Sequence, residues 1–470
     1  LDYTKLYPGS TKLYNKLSDR WEIAVGVSEN DKFEHISFVN GIATPKGGIH
    51  VDTIVKQLVS GIAQAIKKKH KKEVLERYIK NYLSVCVNSV IVNPSFDSQT
   101  KERLITPKSK FGSKPQIPDK FIKQFCDTTP ILDKVLKFSE FKEKTNDKKT
   151  NGAKVNKITG IPKLDDANWA GTRKSSECTL ILTEGDSAKT MAISGLSVVG
   201  RDKFGVFPLR GKVLNVADAT IKQISDNTEI THLKKILGLH SDKEYTNTSK
   251  LRYGKIMIMT DQDHDGSHIK GLVINIFHTL WPSLLKIDGF ITTMITPIVK
   301  VTKNKNSKSF YNLTDYNDWK KSTPNHNKWT CKYYKGLGTS TAIEAREYFK
   351  LNKNMKFTYD NSTDSSMELA FKKDKSDDRK TWLYNYNKEQ TLDSNNSETS
   401  IEQFINNELI HFSNSDTNRS IGSVFDGLKP SQRKILFSCF KRKLYSEIRV
   451  AQLAGYVSEN AAYHHGEASL

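Results

Sequence analysis

The segment KIMIMTDQDHDGSHIKG, residues 255–271, sets Asp261, Asp263 and Asp265 at every second position directly behind an apolar run. Glu184 and Asp186 follow a second apolar run, CTLIL, at 178–182. Carboxylates gathered at one point repel each other and raise each other's pKa values unless a cation compensates. A small all-oxygen donor set with room for water suits Mg2+ rather than Zn2+, and a bound Mg2+ can take a phosphate. Asp-x-Asp-x-Asp-Gly also opens an EF-hand calcium loop. The twelfth position here is Leu272 instead of Glu, and a strand-like run stands where an EF-hand requires a helix. A solvated turn without ligand is the plain alternative for one acidic cluster, and two clusters that each end a strand-like run argue against it.

Such carboxylates need rigid elements behind them. CTLIL and Lys255–Met259 have the continuous apolar character of strands buried on both faces, and Ile295–Val301 (ITPIVKV) reads as a third. Helical stretches between them predict a doubly wound parallel sheet over 161–350, whose ligands collect at the carboxyl ends of the strands. Ser267 is placed to cap the helix that follows the aspartates. Residues 1–145 read as a separate α/β domain, with strands at Trp21–Ser28, Ile36–Thr44 and 79–92 and helices at Val51–Ile66 and Phe121–Lys144. The polar stretch 146–160 predicts a linker, and 351–400 a variable, partly flexible connector with DSNNSETS (393–400) its loosest part. From 401 to 470 the chain reads as helical. Pro430–Lys441 has Pro at N1 and a cationic face carrying Arg433, Lys434 and Lys441, while Arg449–Ser458 suits the short helix of a helix-turn-helix.

The whole chain, 470 residues with 73 Lys+Arg against 52 Asp+Glu, carries a net charge of +21. That balance points to a polyanionic partner, and nucleic acid is favoured over a membrane. The longest apolar run, Gly271–Leu285, is too short to span a bilayer and contains His278. Five cysteines, at 86, 126, 178, 331 and 439, are too scattered for zinc or disulfides and read as reduced thiols. The chain begins at Leu1, which suggests an excerpt of a longer protein.

Five motifs in order carry a resemblance over essentially the whole chain. They are TEGDSA (183–188), PLRGKVLNV (208–216), DQDHDGSHI (261–269), YYKGLGTS (333–340) and SVFDGLKPSQRK (423–434). Together they resemble the type IIA DNA topoisomerases, in the form of the eukaryotic DNA topoisomerase II. The resemblance implies the C-terminal part of a GHKL-ATPase transducer domain at 1–145, a TOPRIM domain at 161–350, and the N-terminal part of a winged-helix DNA-cleavage domain at 401–470.

It also implies roles. Glu184, Asp261 and Asp263 would hold Mg2+ at the cleavage centre, with Asp265 an additional ligand, and Glu184 could act as general acid/base during religation. Arg210 and Lys335 would assist at the scissile phosphate. Lys189, Arg210, Lys212, Lys335, Arg433, Lys434, His464 and His465 would lie along the DNA. Gln99 and Lys101 would reach the ATP γ-phosphate from the transducer. HHGEASL (464–470) lacks the spacing of a zinc helix. The nucleophilic tyrosine is expected beyond Leu470, since Tyr463 does not match its context. The implied whole is an ATP-dependent, homodimeric, nuclear enzyme that cuts double-stranded DNA, passes a second duplex and reseals. A non-catalytic DNA-binding scaffold and another TOPRIM enzyme, such as a primase or nuclease, are the rivals.

Overall fold

The computed structural model describes residues 12–304, 306–334, 336–393, 395–463 and 467–470. The chain divides into two compact units, residues 1–146 and 147–470.

In the first unit, β1 (Leu13–Ser18), β2 (Trp21–Val27), β3 (Glu34–Val39), β4 (Ile42–Ala43) and β5 (Leu83–Ser89) form one sheet in the order β1-β2-β5-β3-β4. The strand expected at 36–44 is a hairpin. Asn40 and Gly41 take φ values of 50° and 81°, the left-handed pair that lets a two-residue turn follow the strand twist. α1 (Ile49–His70) sends Ile54, Leu58, Ile62 and Ile66 into the core at helical spacing, all fully buried. α2 (Glu76–Asn81) takes the start of the run expected as strand. The helix expected at 121–144 is two helices, α3 (Asp119–Thr128) and α4 (Ile131–Lys148). Thr129 between them is extended because the ring of Pro130 disfavours helical backbone in the residue before it.

The second unit is built on β6 (Thr179–Glu184), α5 (Gly185–Val199), β7 (Phe204–Leu209), α6 (Ile221–Asp226), α7 (Thr228–Leu237), β8 (Lys255–Met259), α8 (His264–Leu280), α9 (Pro282–Leu285) and β9 (Ile291–Met294). β7, β6, β8 and β9 lie side by side and parallel. Leu180 and Leu182 of β6 enter one buried layer with Ile256, Ile258, Val273 and Phe277, while Ile181 enters another with Met257, Ala192 and Phe349. Burial on both faces is why β6 and β8 are continuously apolar.

The third parallel strand is β9, not 295–301. Pro297 has no N–H to give a central strand, and the chain leaves the sheet before it. β10 (Val299–Lys303) instead joins β11 (Asn306–Phe310) and β12 (Thr330–Tyr333) in a separate three-stranded sheet, against which α10 (Leu313–Ser322) packs Tyr316 and Trp319 on Phe310.

α11 (Ala342–Leu351) then packs on α5, and the connector expected at 351–400 proves to be ordered architecture. β13 (Asn354–Thr358) adds antiparallel to β9, with Met355 and Phe357 buried, and β14 (Glu398–Ser400) adds parallel to β13. The sheet is therefore mixed, in the order β14-β13-β9-β8-β6-β7. α12 (Thr363–Phe371) and α13 (Ser376–Tyr384) lie between the two added strands. A long helical stretch follows: α14 (Ile401–Phe404), a π-helical turn at Ile405–Leu409, and α15 (Ile410–Ser420). α16 (Pro430–Arg442) and α17 (Val450–Asn460) are the helices expected near the end.

The expected linker is also structured beyond Asn146. Lys234, 1% exposed, donates to Asp147 Oδ1 at 2.6 Å and Thr150 Oγ1 at 2.8 Å, and the fully buried Arg252 donates to Val155 O at 2.6 Å. The segment has little apolar surface to bury, but it supplies the partners without which two buried cations would be costly. Among the described residues no helix is long and apolar enough to cross a membrane.

Candidate metal centre

β6 and β8 are adjacent and in register, Thr183 opposite Met259, so the chain positions that follow them emerge at the same sheet edge. Glu184 closes β6. Gly185 behind it takes φ 75°, which turns the chain directly into α5. Asp261 stands two residues beyond β8, and its N–H donates to Glu184 Oε2 at 3.3 Å. Asp263 is the N-cap of α8, its Oδ1 accepting from Gly266 N–H at 2.8 Å. The cap is thus Asp263 and not Ser267, which lies inside the first turns and donates to Glu408 at 2.7 Å. The helix begins earlier than expected because a carboxylate at the cap also favours the helix dipole.

A third segment closes over the acids. Leu337 N–H donates to Asp261 Oδ1 at 2.7 Å, and a Cβ on Gly336 would lie 2.8 Å from Asp261 Cγ. The glycine of the Lys335–Gly338 motif is required there because Asp261 occupies the space. Lys335 itself lies outside the described residues, as do His464 and His465.

Electrostatics separate the four acids into two kinds. Burial pushes Glu184 up to about 7, and Asp261 and then the other aspartates add to the rise against the Asp261 N–H bond. Asp261 is raised by burial, with the Leu337 N–H opposing and Asp263 adding. For Asp265 burial, which alone would raise it, is outweighed by hydrogen bonds from Arg419 and Lys212, and it falls to about 2. Lys212 Nζ lies 2.6 Å from Asp265 Oδ1, and the Arg419 guanidinium spans both oxygens at 3.2 and 3.3 Å.

Glu184 and Asp261 are therefore crowded oxygen donors with strained charge, while Asp265 is already neutralised. Among the described residues no three His, Cys, Asp or Glu side chains are gathered closely enough to enclose an ion. The arrangement fits a hard cation that keeps several waters and uses few carboxylates, as Mg2+ does, with phosphate completing its shell.

The remaining expected residues divide similarly. Arg210 is exposed on the turn after β7, whose Leu209 pairs with Glu184, so it sits beside the acids. Lys189 is turned inward onto Asp165 at 2.6 Å and Lys163 O at 2.8 Å, and Lys212 onto Asp265; both are structural partners before they are phosphate contacts. On α16, exposed Arg433 is held by Asp426 at 2.7 Å, and Lys434 donates to Ala462 O at 2.8 Å. In the first unit Gln99 and Lys101 are exposed at the tip of a loop whose base, Phe96 and Leu104, is bridged, with Leu104 also bridged to Gly48 ahead of α1. Lys101 takes φ 57°, a left-handed turn that projects the tip outward.

Sequence reasoning missed Leu337 N–H and Arg419. Neither has a local signature, since they reach their carboxylates across 76 and 154 positions.

Family models match the chain in order: DNA gyrase B over residues 3–154, the Toprim domain over 179–292, the C-terminal associated domain of TOPRIM over 294–417, and the DNA-cleaving polypeptide of DNA gyrase/topoisomerase IV over 419–470. DNA topoisomerase 2-alpha of Mus musculus is 52% identical across 97% of this chain and 31% of its own length. DNA topoisomerase 2-beta of Gallus gallus is 51% identical across 97% of this chain and 29% of its own. The crystal structure of the Plasmodium falciparum topoisomerase II DNA-binding, cleavage and re-ligation domain matches with a TM-score of 0.61 and 52% identity, covering 67% of this chain and 44% of that one. The chain spans about a third of the length of the curated relatives it matches, 31% in the first case. With the Toprim match lying on the strands that carry Glu184 and Asp261, the chain belongs to the type IIA DNA topoisomerase family.

Proposed function

We propose that this chain is the central part of an ATP-dependent type II DNA topoisomerase, with Mg2+ held by Glu184, Asp261 and Asp263. The observation that carries the reading is the pair of crowded carboxylates at adjacent strand ends in a chain of net charge +21. A pure DNA-binding scaffold gains nothing from acids facing phosphate. A bound Mg2+ would neutralise charge on the scissile phosphate and on the departing 3′ oxygen.

The chain's own residues do the rest. Asp261 is oriented by Leu337 N–H, Glu184 is placed within reach of it, and the cap at Asp263 fixes α8 beneath both. With its pKa near 7, Glu184 is poised to accept or return a proton as the 3′ oxygen leaves and re-attacks. Arg210 and Lys335 face the same phosphate, and Arg433, Lys434, His464 and His465 extend the contact along the duplex. A tyrosine supplied from outside these 470 residues makes the phosphotyrosyl bond, in a homodimer that cuts both strands in the nucleus. Gln99 and Lys101, at their exposed tip, report bound ATP from the transducer domain.

The test uses a protein extended to the length of its relatives. Asp261→Ala should abolish Mg2+-dependent DNA cleavage and leave ATP hydrolysis measurable; unchanged cleavage would remove Asp261 from the metal site. The 470 residues alone should bind DNA with strong salt dependence and relax no supercoils.

A further inference from the structure

We infer that Asp265 is a positioning residue and not a metal ligand: with Lys212 and Arg419 it pins the first turn of α8 to the end of α15. The inference rests on the reading that Glu184, Asp261 and Asp263 form the metal site.

Both oxygens of Asp265 are spent. Oδ1 accepts from Lys212 at 2.6 Å and from Arg419 at 3.3 Å, and Oδ2 accepts from Arg419 at 3.2 Å. Arg419 is itself braced by Asp416 at 3.0 Å. Two cations therefore meet two carboxylates, which leaves no excess negative charge to draw in a divalent ion. An ion taking Asp265 would have to displace both Lys212 and Arg419.

The same groups converge on one ring. Phe412 of α15, 8% exposed, stacks on His268 of α8 with centroids 3.9 Å apart and planes at 16°. Lys212 Nζ lies 4.5 Å and the Arg419 guanidinium 6.0 Å from its centroid. Such cation–π contacts strengthen as water is excluded, so the ion pairs and the ring hold the cations jointly. A second tie further along α8 has the same sense: Lys270, 4% exposed, pairs with Glu408 of the π-helical turn at 2.8 Å.

The location gives the pin its consequence. Asp265 lies in the helical turn capped by Asp263, whereas Arg419 lies in the last turn of α15, just before Ile421–Lys429 leads to the cationic helix α16. One carboxylate thus sets the metal-binding turn and the chain's departure toward α16 in a fixed relation.

The test is Mn2+ binding followed by electron paramagnetic resonance, with hydrogen exchange of amides 417–421, on the 470-residue chain. Asp265→Asn and Arg419→Gln should weaken Mn2+ binding in the same direction, by about 10-fold as supporting residues around metal sites do. The double variant should be no worse than either single one. Both should speed exchange at 417–421, and Arg419→Lys should restore most of the protection. A ligand role predicts opposite signs: Asp265→Asn weakens binding as much as Asp261→Asn, while Arg419→Gln, by removing a competing cation, tightens it. That pattern, or wild-type exchange at 417–421 in Asp265→Asn, overturns the pin. If Asp261→Asn leaves Mn2+ affinity unchanged, the metal-site reading fails instead, and the exchange data alone decide the pin.

Discussion

Gly336→Ala isolates the role of the 334–340 loop in holding Asp261. Gly336 has φ −166° and ψ 173°, extended backbone that alanine adopts without strain, so the fold should survive. The new Cβ would lie 2.8 Å from Asp261 Cγ and closer still to Oδ2, roughly 1 Å inside ordinary contact distance. Asp261 is the group that yields, since it is a short side chain held at this point by Leu337 N–H at 2.7 Å. A carboxylate displaced by that much loses the hydrogen bond, worth about 1.5–3 kcal/mol for a charged acceptor. Taking about 2 kcal/mol, occupancy of the productive position falls about 30-fold. Mn2+ affinity measured by electron paramagnetic resonance should fall by a similar factor, with a thermal midpoint within a few degrees of wild type. Gly338→Ala is the control, because its Cβ would meet only Ser187 Cβ, at an ordinary 3.7 Å. Wild-type Mn2+ affinity in Gly336→Ala, or equal losses in the two variants, would refute the reasoning.

Other perturbations probe the frame around the site. Gly195→Ala would put a Cβ 2.5 Å from Phe349 Cγ at the packing of α5 on α11, and should cost about 1–3 kcal/mol of stability, read as an earlier urea midpoint. Pairing it with Phe349→Leu should recover part of that loss. Arg252→Met removes a fully buried guanidinium from Asp166, Val155 O and Ile236 O, leaving three acceptors without their partner. Destabilisation of about 3–5 kcal/mol is expected by thermal or urea unfolding, larger than for any exposed arginine. For Glu344, burial alone would raise the pKa, yet hydrogen bonds from Lys332, Thr341 N–H and Tyr334 hold it down at about 2 against an ordinary 4.5. A depressed acid contributes stability that is present above its unfolded pKa and lost as pH falls through the folded one. The stability gap between wild type and Glu344→Gln should therefore be full at pH 7 and shrink between about pH 4.5 and pH 2.

Much of the site could be read from the chain because its two halves sit on elements with loud signals. β6 and β8 are buried on both faces, so their sequences are continuously apolar, and the acids that follow them fall at strand ends by construction. Where burial does not shape composition, the signal fails. Glu398–Ser400 is polar enough to read as loose chain, yet it pairs with β13 through backbone hydrogen bonds that any residue can make. Segment 147–155 offers little to bury, but its carboxylate and carbonyls are what Lys234 and Arg252 need. The hairpin at 40–41 was visible in principle as an Asn-Gly turn inside an apolar run. Pro297 likewise marked the break in ITPIVKV. The role of Asp265 had no such marker, because its partner Arg419 is 154 positions away and nothing near either residue announces the other.

Mn2+ anomalous scattering from crystals of the chain grown with a duplex oligonucleotide tests the metal site most directly. The account predicts a peak within coordination distance of Glu184 and of Asp261 or Asp263, with Asp265 still held by Lys212 and Arg419. No peak there at saturating Mn2+, or a peak built on other residues, would contradict it.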